Sequence, residues 1–219
     1  MKVLHILDAS LPNISGYASR SDAIIRNQRL LGIETCQMTC QGYTNFTSLK
    51  EKIEDVTYYR TEPSKGVFRN IPLFGYIDHV FHLAKRIEEI INEENPDVIH
   101  AHSPMLNGLA SLLVRKRTNI PVVYEVRAFW EDAAVDTGKT KEGSFRYRLI
   151  KSLEQFVFSH SDKVACICNG LKDAIIQRGI SNDKLFVSPN AVDFSKFQKI
   201  QKIDQQLATS LGVADKKII

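Results

Sequence analysis

Short apolar runs alternate with helix-forming segments along most of this 219-residue chain. Five of the runs end in polar residues, and each end precedes a segment with helical character. This alternation predicts an α/β fold with a Rossmann-like, doubly wound and mostly parallel sheet. The carboxyl ends of such strands share one edge, where ligands bind, so residues far apart in sequence are expected to line one cleft. The five polar ends are residues 10–16, 41–43, 100–103, 125–130 and 168–170.

The composition is that of an ordinary globular protein, with 43% hydrophobic and 25% charged residues. A net charge of +4 is too small to indicate nucleic-acid binding but suits anionic substrates or an anionic membrane surface. The four cysteines are expected to be small buried hydrophobes rather than a disulfide framework. The N-terminus lacks the length of a signal peptide, and we expect a cytoplasmic protein.

The pattern also predicts where the elements lie. A helix is expected over residues 19–31, with Ser19 or Ser21 as N-cap and Gly32 just beyond its end. Ser103 is expected to cap a further helix that has Pro104 in its first position. Strands are expected at residues 3–7, 34–40, 56–60, 97–101, 121–126, 163–167 and 184–187, and the remaining helices at 78–94, 144–159, 170–178 and 205–211.

The loop around Gly16 follows the first strand and precedes the first helix. A glycine lets a ligand approach the backbone, and free N–H groups at a helix start suit a phosphate. Arg20 would add positive charge, while Tyr17 lies between the two. The alternative is a plain strand–helix turn. Neither the dinucleotide glycine fingerprint nor the phosphate-loop lysine motif is present.

His100 and His102 end another strand and face the same way, because side chains alternate along a strand. Two histidines on one face are a start for a metal site, but no third ligand is evident, so no metal is expected. His102 is the better candidate to handle a proton or to hydrogen-bond a substrate hydroxyl. A purely structural, buried histidine is the alternative.

Glu125 and Arg127 also share a face at a strand end. They either form a salt bridge or frame a polar pocket the size of a sugar. Trp130 follows beside acidic residues, an arrangement that either holds carbohydrate or packs in the core. The basic and partly apolar stretch 145–151, with 65–76, is either a membrane-surface patch or, as we favour, the solvated face of a helix.

Four motifs taken together carry a resemblance to a known family. They are Ser-Gly-Tyr-x-x-Arg-Ser at 15–21, Pro-Asp-Val-Ile-His-Ala-His-Ser-Pro at 96–104, Tyr-Glu-Val-Arg-x-Phe-Trp-Glu-Asp at 124–132 and Ser-Pro-Asn-Ala-Val-Asp at 188–193. In this order they resemble glycosyltransferase family 4, nearest to the bacterial group that builds surface or exported polysaccharide.

The resemblance implies one half of a GT-B glycosyltransferase. Residues 1–197 would be the N-terminal, acceptor-side domain, and 198–219 a linker and the start of a truncated donor-binding domain. Gly16 would approach the donor diphosphate, with Tyr17 and Arg20 beside it. His102 would lie at the acceptor and reacting sugar, with Glu125 and Arg127 at an acceptor-side strand end. Ala191 replaces the glycine that is usual in the last motif.

The implied activity is that of a retaining hexosyltransferase. It would transfer a sugar from a nucleotide-sugar donor to a glycan or lipid-linked acceptor in polysaccharide or glycoconjugate biosynthesis, without cofactor or metal. The C-terminal half would supply half of the donor contacts, so residues 1–219 alone are expected to be inactive. The alternatives are a non-catalytic glycan-binding module, an oxidoreductase, which the missing fingerprint makes improbable, and a peripheral membrane adaptor.

Overall fold

The computed structural model describes residues 1–66, 74–192, 204–214 and 216. Eight strands form one sheet in the order β3-β4-β2-β1-β5-β6-β7-β8. All neighbouring strands pair in parallel except β3, which pairs antiparallel with β4 at the edge. The strands are β1 (Lys2–Leu7), β2 (Glu34–Thr39), β3 (Lys50–Ile53), β4 (Val56–Tyr59), β5 (Val98–His102), β6 (Val122–Val126), β7 (Lys163–Cys166) and β8 (Leu185–Val187).

Helices follow most of the strands, as the alternating pattern predicts, and the Rossmann-like α/β fold is confirmed. No helix in the described parts of the chain is long and apolar enough to cross a membrane. The helices are α1 (Gly16–Leu30), α2 (Phe74–Glu94), α3 (Met105–Thr118), α4 (Trp130–Asp136), α5 (Phe145–His160), α6 (Asn169–Gln177) and α7 (Gln205–Ser210).

The two faces of the sheet differ in chemistry. One face carries the main apolar core, in which Leu4 and Ile99 of the sheet pack with Ile87 of α2 and Val157 of α5. On the other face, α1 contributes Ile25 to a much smaller apolar cluster. Side chains alternate along each strand, so the residues between the core positions all face the α1 side. Several of them are polar and buried, and they position the site described below.

The start of α1 differs from the prediction. Ser15, in extended conformation, is the N-cap and accepts a hydrogen bond from the amide of Ala18. The helix therefore begins at Gly16, and the prediction of Ser19 or Ser21 as the cap is wrong. Nothing in the hydrophobic period distinguishes these serines, because all are compatible with a helix start. Gly32 lies just beyond the helix at φ +79°, as expected.

Other boundaries differ for recognisable reasons. The edge strand β3 was not predicted because its sequence is charged, which is how proteins protect sheet edges. The short helix α4 was also missed. Pro104 is the N-cap of α3, so the predictions of Ser103 as the cap and of Pro104 in the first helical position are both wrong. Cys168 is exposed, so only Cys36, Cys40 and Cys166 fit the expectation of buried cysteines.

Contacts divide the chain into two units, Met1–Pro189 and Asn190–Ile219. The first holds the whole sheet. In the second, the structure describes α7, which Asp204 caps by accepting from the amide of Leu207. The predicted domain boundary at residue 197 lies outside the described residues.

Gly108 lies where α3 packs closely against α5 and β6. A Cβ there would lie 2.5 Å from Cγ1 of Val157 and 3.1 Å from the ring of Tyr124. We predict that Gly108→Ala lowers the free energy of unfolding by about 1–3 kcal/mol because of overpacking, although alanine favours a helix by about 1 kcal/mol. Chemical denaturation measures the change.

Gly170 of α6 is the matched control, because the atom nearest to its added Cβ is 4.0 Å away. Gly170→Ala should be neutral or stabilising by up to about 1 kcal/mol. A Gly108→Ala protein as stable as Gly170→Ala would show that the α3–α5 contact is looser than described.

Candidate active site at the carboxyl edge of the sheet

The candidate site lies where β1, β5 and β6 run side by side. The register pairs His5 with His100 and His102 with Glu125, so these four side chains share the face toward α1. Arg127 follows β6 by one residue and points back over the same face, since it contacts His102. The sequence therefore brings together residues from three strands at one edge, as expected for the carboxyl ends of parallel strands.

The N-terminus of α1 adjoins this cluster. Gly16 is exposed, and no atom lies within 4 Å of the position that a Cβ would occupy. Its φ is not in the left-handed region either, so the fold does not require glycine here. The amides of the first helical turn point toward the edge of the sheet and carry a partial positive charge. The position is thus suited to the close approach of an anionic group.

Tyr17 connects the helix start to the strand ends. Its hydroxyl accepts a hydrogen bond from the amide of Asp8 at 2.9 Å. Its carbonyl oxygen accepts from Nη1 of Arg127 at 2.9 Å, and the guanidinium of Arg127 stacks 4.1 Å from the ring centroid. Burial raises the pKa of Tyr17, so the hydroxyl stays protonated. Tyr17 therefore links the start of α1 to the chain segments that follow β1 and β6.

The carboxylate of Glu125 is the hub of the cluster. Its Oε1 accepts from Nε of Arg127 at 2.8 Å and from Nε of Arg20 at 3.0 Å. Burial alone would raise the pKa of Glu125, but the polar groups around the carboxylate, among them His100 and the two guanidinium groups bonded to Oε1, hold it below the usual range, so the group is ionised. Two guanidinium groups on one carboxylate leave one net positive charge beside the helix start.

Arg20 extends the hub to the last strand. Its Nη2 donates to the carbonyl oxygen of Ser188 at 2.7 Å, and its Nη1 donates to that of Pro189 at 3.0 Å. The guanidinium thus ties α1 to both β6 and the end of β8. Only 11% of the Arg20 side chain is exposed, so little of it remains for a ligand in this arrangement.

The hydrogen bonds of His102 assign its tautomer. Arginine has donors only, so Nδ1 of His102 accepts from Nη2 of Arg127 at 2.7 Å. In the neutral ring Nε2 then carries the proton and donates to Nδ1 of His5 at 3.0 Å. By the same reasoning Nε2 of His5 donates to Oε1 of Gln28 at 2.8 Å. We call this series of hydrogen bonds, which runs from Arg127 through His102 and His5 to Gln28, the histidine relay.

Burial keeps both relay histidines neutral. Desolvation, assisted by neighbouring His100, lowers the pKa of His5 to about 3. The same two causes lower the pKa of His102 well below its usual value. A second proton on either ring would occupy Nδ1, the nitrogen that accepts a hydrogen bond in the relay, so the neutral charge state and the hydrogen bonds agree.

The loop between β1 and α1 is held from below by Arg60, which has no exposed surface. Its Nη1 donates to Oγ of Ser10 at 2.6 Å, and its Nη2 donates to the carbonyl oxygen of Leu11 at 3.1 Å. Its Nε pairs with Glu51 at 2.9 Å, and the rings of Tyr43 and Tyr58 flank the guanidinium. This buried arginine fixes the loop that leads to Gly16.

The site residues predicted from the sequence lie close together, but one of them, His102, is fully buried. Tyr17, Arg20, Glu125, Arg127 and His102 form one connected cluster, and Gly16 is next to Tyr17 in the chain. Of the two arrangements considered for Glu125 and Arg127, the structure contains the salt bridge. The His102 ring has no exposed surface, so a direct contact with substrate would require this ring to be uncovered.

Trp130 and its acidic neighbours lie elsewhere, on the face of the sheet that carries the main apolar core. Trp130 packs against the main core, one of its two predicted arrangements. Glu131 is buried and pairs with Arg178 at 2.7 Å, while Asp132 accepts a hydrogen bond from the hydroxyl of Tyr147. No contact links this group to the carboxyl-edge cluster among the described residues.

His5 and Gln28 were not predicted from the sequence. His5 supplies the third imidazole that the His100–His102 pair lacked, and one nitrogen from each ring lies within 4.8 Å of the others. The register of β1 against β5 is what would have revealed it. In the relay, however, the nitrogens of His5 and the Nε2 of His102 are bonded to one another and to Gln28. A metal ion would have to break these bonds.

Comparison with known proteins gives a family and a fold. The sequence model of Glycosyltransferase Family 4 matches residues 47–196, more than half of the chain. No curated protein matches the sequence significantly.

Solved structures share the fold at low sequence identity. Sucrose-phosphate synthase from Thermosynechococcus elongatus is 12% identical with a TM-score of 0.70, covering 96% of this chain and 52% of its own. HepE from Anabaena, solved with UDP-glucose, is 14% identical at a TM-score of 0.65, with 98% and 50% covered. UDP-GlcNAc 2-epimerase from Methanocaldococcus jannaschii is 16% identical at 0.54, with 85% and 45% covered. The chain thus spans about half the length of these proteins.

The relay makes a prediction about stability and pH. His5 has its pKa lowered from 6.5 to about 3 in the folded chain, so between these values the unfolded chain binds more protons. Its contribution to stability is therefore complete above pH 6.5 and is lost as the pH falls toward 3. At pH 5 the loss is about 2 kcal/mol. When the pH is lowered from 7 to 5, the His5→Gln protein should lose about 2 kcal/mol less of its free energy of unfolding than the unaltered protein does. Urea unfolding at the two pH values measures this difference.

His160→Gln, at an exposed position, is the control and should keep the pH dependence of the unaltered chain. Imidazole nitrogen NMR tests the assignment directly: His5 and His102 should both appear as neutral rings protonated at Nε2 at pH 6. A protonated His102, or an unchanged pH slope in His5→Gln, would contradict the relay.

Proposed function

The chain belongs to glycosyltransferase family 4, and from this membership we propose that it forms the acceptor-side half of a retaining hexosyltransferase. The enzyme transfers a sugar from a nucleotide-sugar donor to a glycan or lipid-linked acceptor in polysaccharide or glycoconjugate biosynthesis. The rest of the protein supplies a second, donor-binding domain. The half-length match to larger solved structures supports that division.

One observation carries the proposal: an open helix start lies beside a net positive charge at the carboxyl edge of the sheet. Gly16 leaves space for a ligand, and the Arg20–Glu125–Arg127 group leaves one positive charge nearby. A diphosphate is the part of a nucleotide sugar that suits both features. HepE was solved with UDP-glucose, which supports a nucleotide sugar as the donor.

The proposed chemistry is substitution with retention, without metal or cofactor. The bond between the anomeric carbon and the diphosphate oxygen breaks, and the acceptor oxygen bonds to the same carbon on the same face. The acceptor proton passes to the departing diphosphate oxygen. The chain contributes by positioning and by stabilising the charge that develops on the diphosphate.

In this proposal His102 contributes indirectly, through its hydrogen bond with Arg127. It accepts a hydrogen bond from the guanidinium and so fixes the direction in which Arg127 faces the reacting sugar. The direct contact of His102 with sugar or acceptor, expected from the family resemblance, remains a prediction. Glu125 balances the two arginines and prevents their mutual repulsion.

We also propose that the enzyme works in the cytoplasm at the inner face of the membrane. Support comes from the first turn of α5, where Phe145 is exposed next to the exposed basic residue Arg146, and Arg148 follows. An apolar ring among cations suits an anionic lipid surface. The second basic stretch, 65–76, lies partly outside the described residues.

The role of Gly16 can be separated from folding. In the full-length protein, Gly16→Val adds a side chain into open space, so the free energy of unfolding should change by no more than about 0.5 kcal/mol. The same side chain would block the approach of the diphosphate. The KM for the nucleotide sugar should therefore rise at least about tenfold, as measured by nucleotide release.

Ala23→Val is the control, since it adds bulk at an exposed position farther along α1. Residues 1–219 alone should show no transfer because the donor half is missing. Normal donor kinetics in Gly16→Val would remove Gly16 from the donor site. A full-length protein that binds acceptor but never transfers sugar would instead favour the non-catalytic glycan-binding module.

Two substitutions of His102 distinguish its possible roles. His102→Ala removes the acceptor for Arg127 and should reduce kcat by about 100-fold, as expected for a small displacement of a positioned group. His102→Asn places an amide oxygen near the former Nδ1, so it should hold Arg127 and recover most of that loss. Circular dichroism should show both variants folded. Equal loss in both variants would indicate that the imidazole itself meets the substrate.

A further inference from the structure

Helix α2 separates two hollows of opposite character. Its residues Asp78 and His82 line a polar cleft, whereas Ile77 and Val80 line an apolar groove. Positions one residue apart on a helix point about 100° apart, so the helix presents one face to each hollow. Phe81 lies between the two faces and lines both. The two hollows therefore adjoin along one side chain.

The polar cleft consists of two adjoining hollows of about 360 and 440 Å³ that share Pro63, Ser64 and Asp78. It begins at Gln41, which follows β2 at the carboxyl edge of the sheet. Since β2 is the neighbour of β1, the cleft opens on the same edge as Gly16. A ligand in the cleft is thus on the edge of the sheet that carries the proposed donor site.

Three buried polar atoms at this cleft have no hydrogen-bond partner in the described part of the chain. Oε1 of Gln41, Oδ2 of Asp78 and Nε2 of His79 are buried without a hydrogen bond from any residue that the structure describes. Burial lowers the pKa of His79 to about 4, so this ring is neutral near pH 7. Buried polar groups in proteins are normally satisfied. Acceptors and a neutral imidazole around a space of this size match a polyhydroxylated ligand.

The apolar groove lies between α2, α3 and α5 and has a volume of about 290 Å³. Its walls include Leu113 of α3 and Leu153 of α5. Three large apolar side chains along the groove are exposed to solvent: Phe81 is 57% exposed, Ile77 52% and Phe156 41%. Exposed apolar surface gathered in a hollow indicates a ligand or a partner, unlike single scattered residues.

We propose that the two hollows bind one amphiphilic acceptor, with the polar head in the cleft and the hydrocarbon chain in the groove. This inference rests on the proposed function and selects the lipid-linked acceptor over a free glycan. The inference depends on Phe81, which lines both hollows. A water-soluble glycan has no hydrocarbon part that could be buried in the groove. A second protein would need a broad surface, whereas the groove has a volume of only about 290 Å³ and adjoins the cleft at Phe81.

Binding of n-alkyl β-D-glucosides to the purified chain tests the inference. The head group is constant across methyl, hexyl and octyl glucoside, all kept below their critical micelle concentrations. Calorimetry should show an affinity that rises about fourfold for each methylene that enters the groove. Equal affinities across the series, or no binding of octyl glucoside, would overturn the inference.

Substitutions assign the binding to the two hollows. Ile77→Ser, in the groove alone, should reduce octyl glucoside affinity about tenfold and leave methyl glucoside unchanged. Asp78→Asn, in the cleft, should weaken all members of the series equally. Phe145→Ser is the matched control, since Phe145 is 73% exposed but lines neither hollow. A chain-length effect that Ile77→Ser preserves and Phe145→Ser removes would place the hydrocarbon on a membrane-contact surface instead.

The assay needs neither donor nor turnover, so its failure differs from failure of the proposed function. A protein that binds octyl glucoside through Ile77 but never transfers sugar would refute only the transferase activity. A transferase that ignores alkyl chain length would refute only the amphiphilic acceptor. Sedimentation of the free chain completes the test, because a dimer dispersed by Ile77→Ser would show that a second copy occupies the groove.

Discussion

The buried carboxylate of Glu125 is the interaction on which the candidate site depends. It receives one guanidinium from α1 and one from the end of β6, residues that are 105 and two positions away in sequence. Removing one partner from a buried ion group leaves an uncompensated charge, which is more costly than the net value of the pair. Without Glu125, Arg20 and Arg127 would repel each other, and α1 would lose one of its polar attachments to the sheet.

The histidine relay complements this hub because it adds no charge. A neutral His102 accepts from Arg127 without competing for Glu125, and His5 passes the hydrogen-bond direction on to Gln28 in α1. The site thus keeps one net positive charge while every nitrogen of the two relay rings is satisfied. A protonated relay would instead place further positive charge within the buried cluster. Neutrality therefore matters for fold and site together.

The sequence predicted what short-range patterns encode. Parallel strands, the helical segments and the shared carboxyl edge follow from hydrophobic period and strand-end chemistry. His5, Gln28 and Arg60 do not, because their roles depend on the register between strands and on long-range contacts that no local pattern carries. The cap of α1 was missed because several serines satisfy the same rule, and β3 because an edge strand is charged for protection.

The glycines show how structure separates packing from ligand binding where sequence does not. Gly108 has no room for a side chain, since Val157 and Tyr124 already occupy that space. Gly16 has open space and an ordinary backbone conformation, so nothing within the described fold demands a glycine there. The fold leaves this position free, at a helix start beside unbalanced positive charge. The open space and the charge, rather than the glycine itself, favour an anionic ligand there.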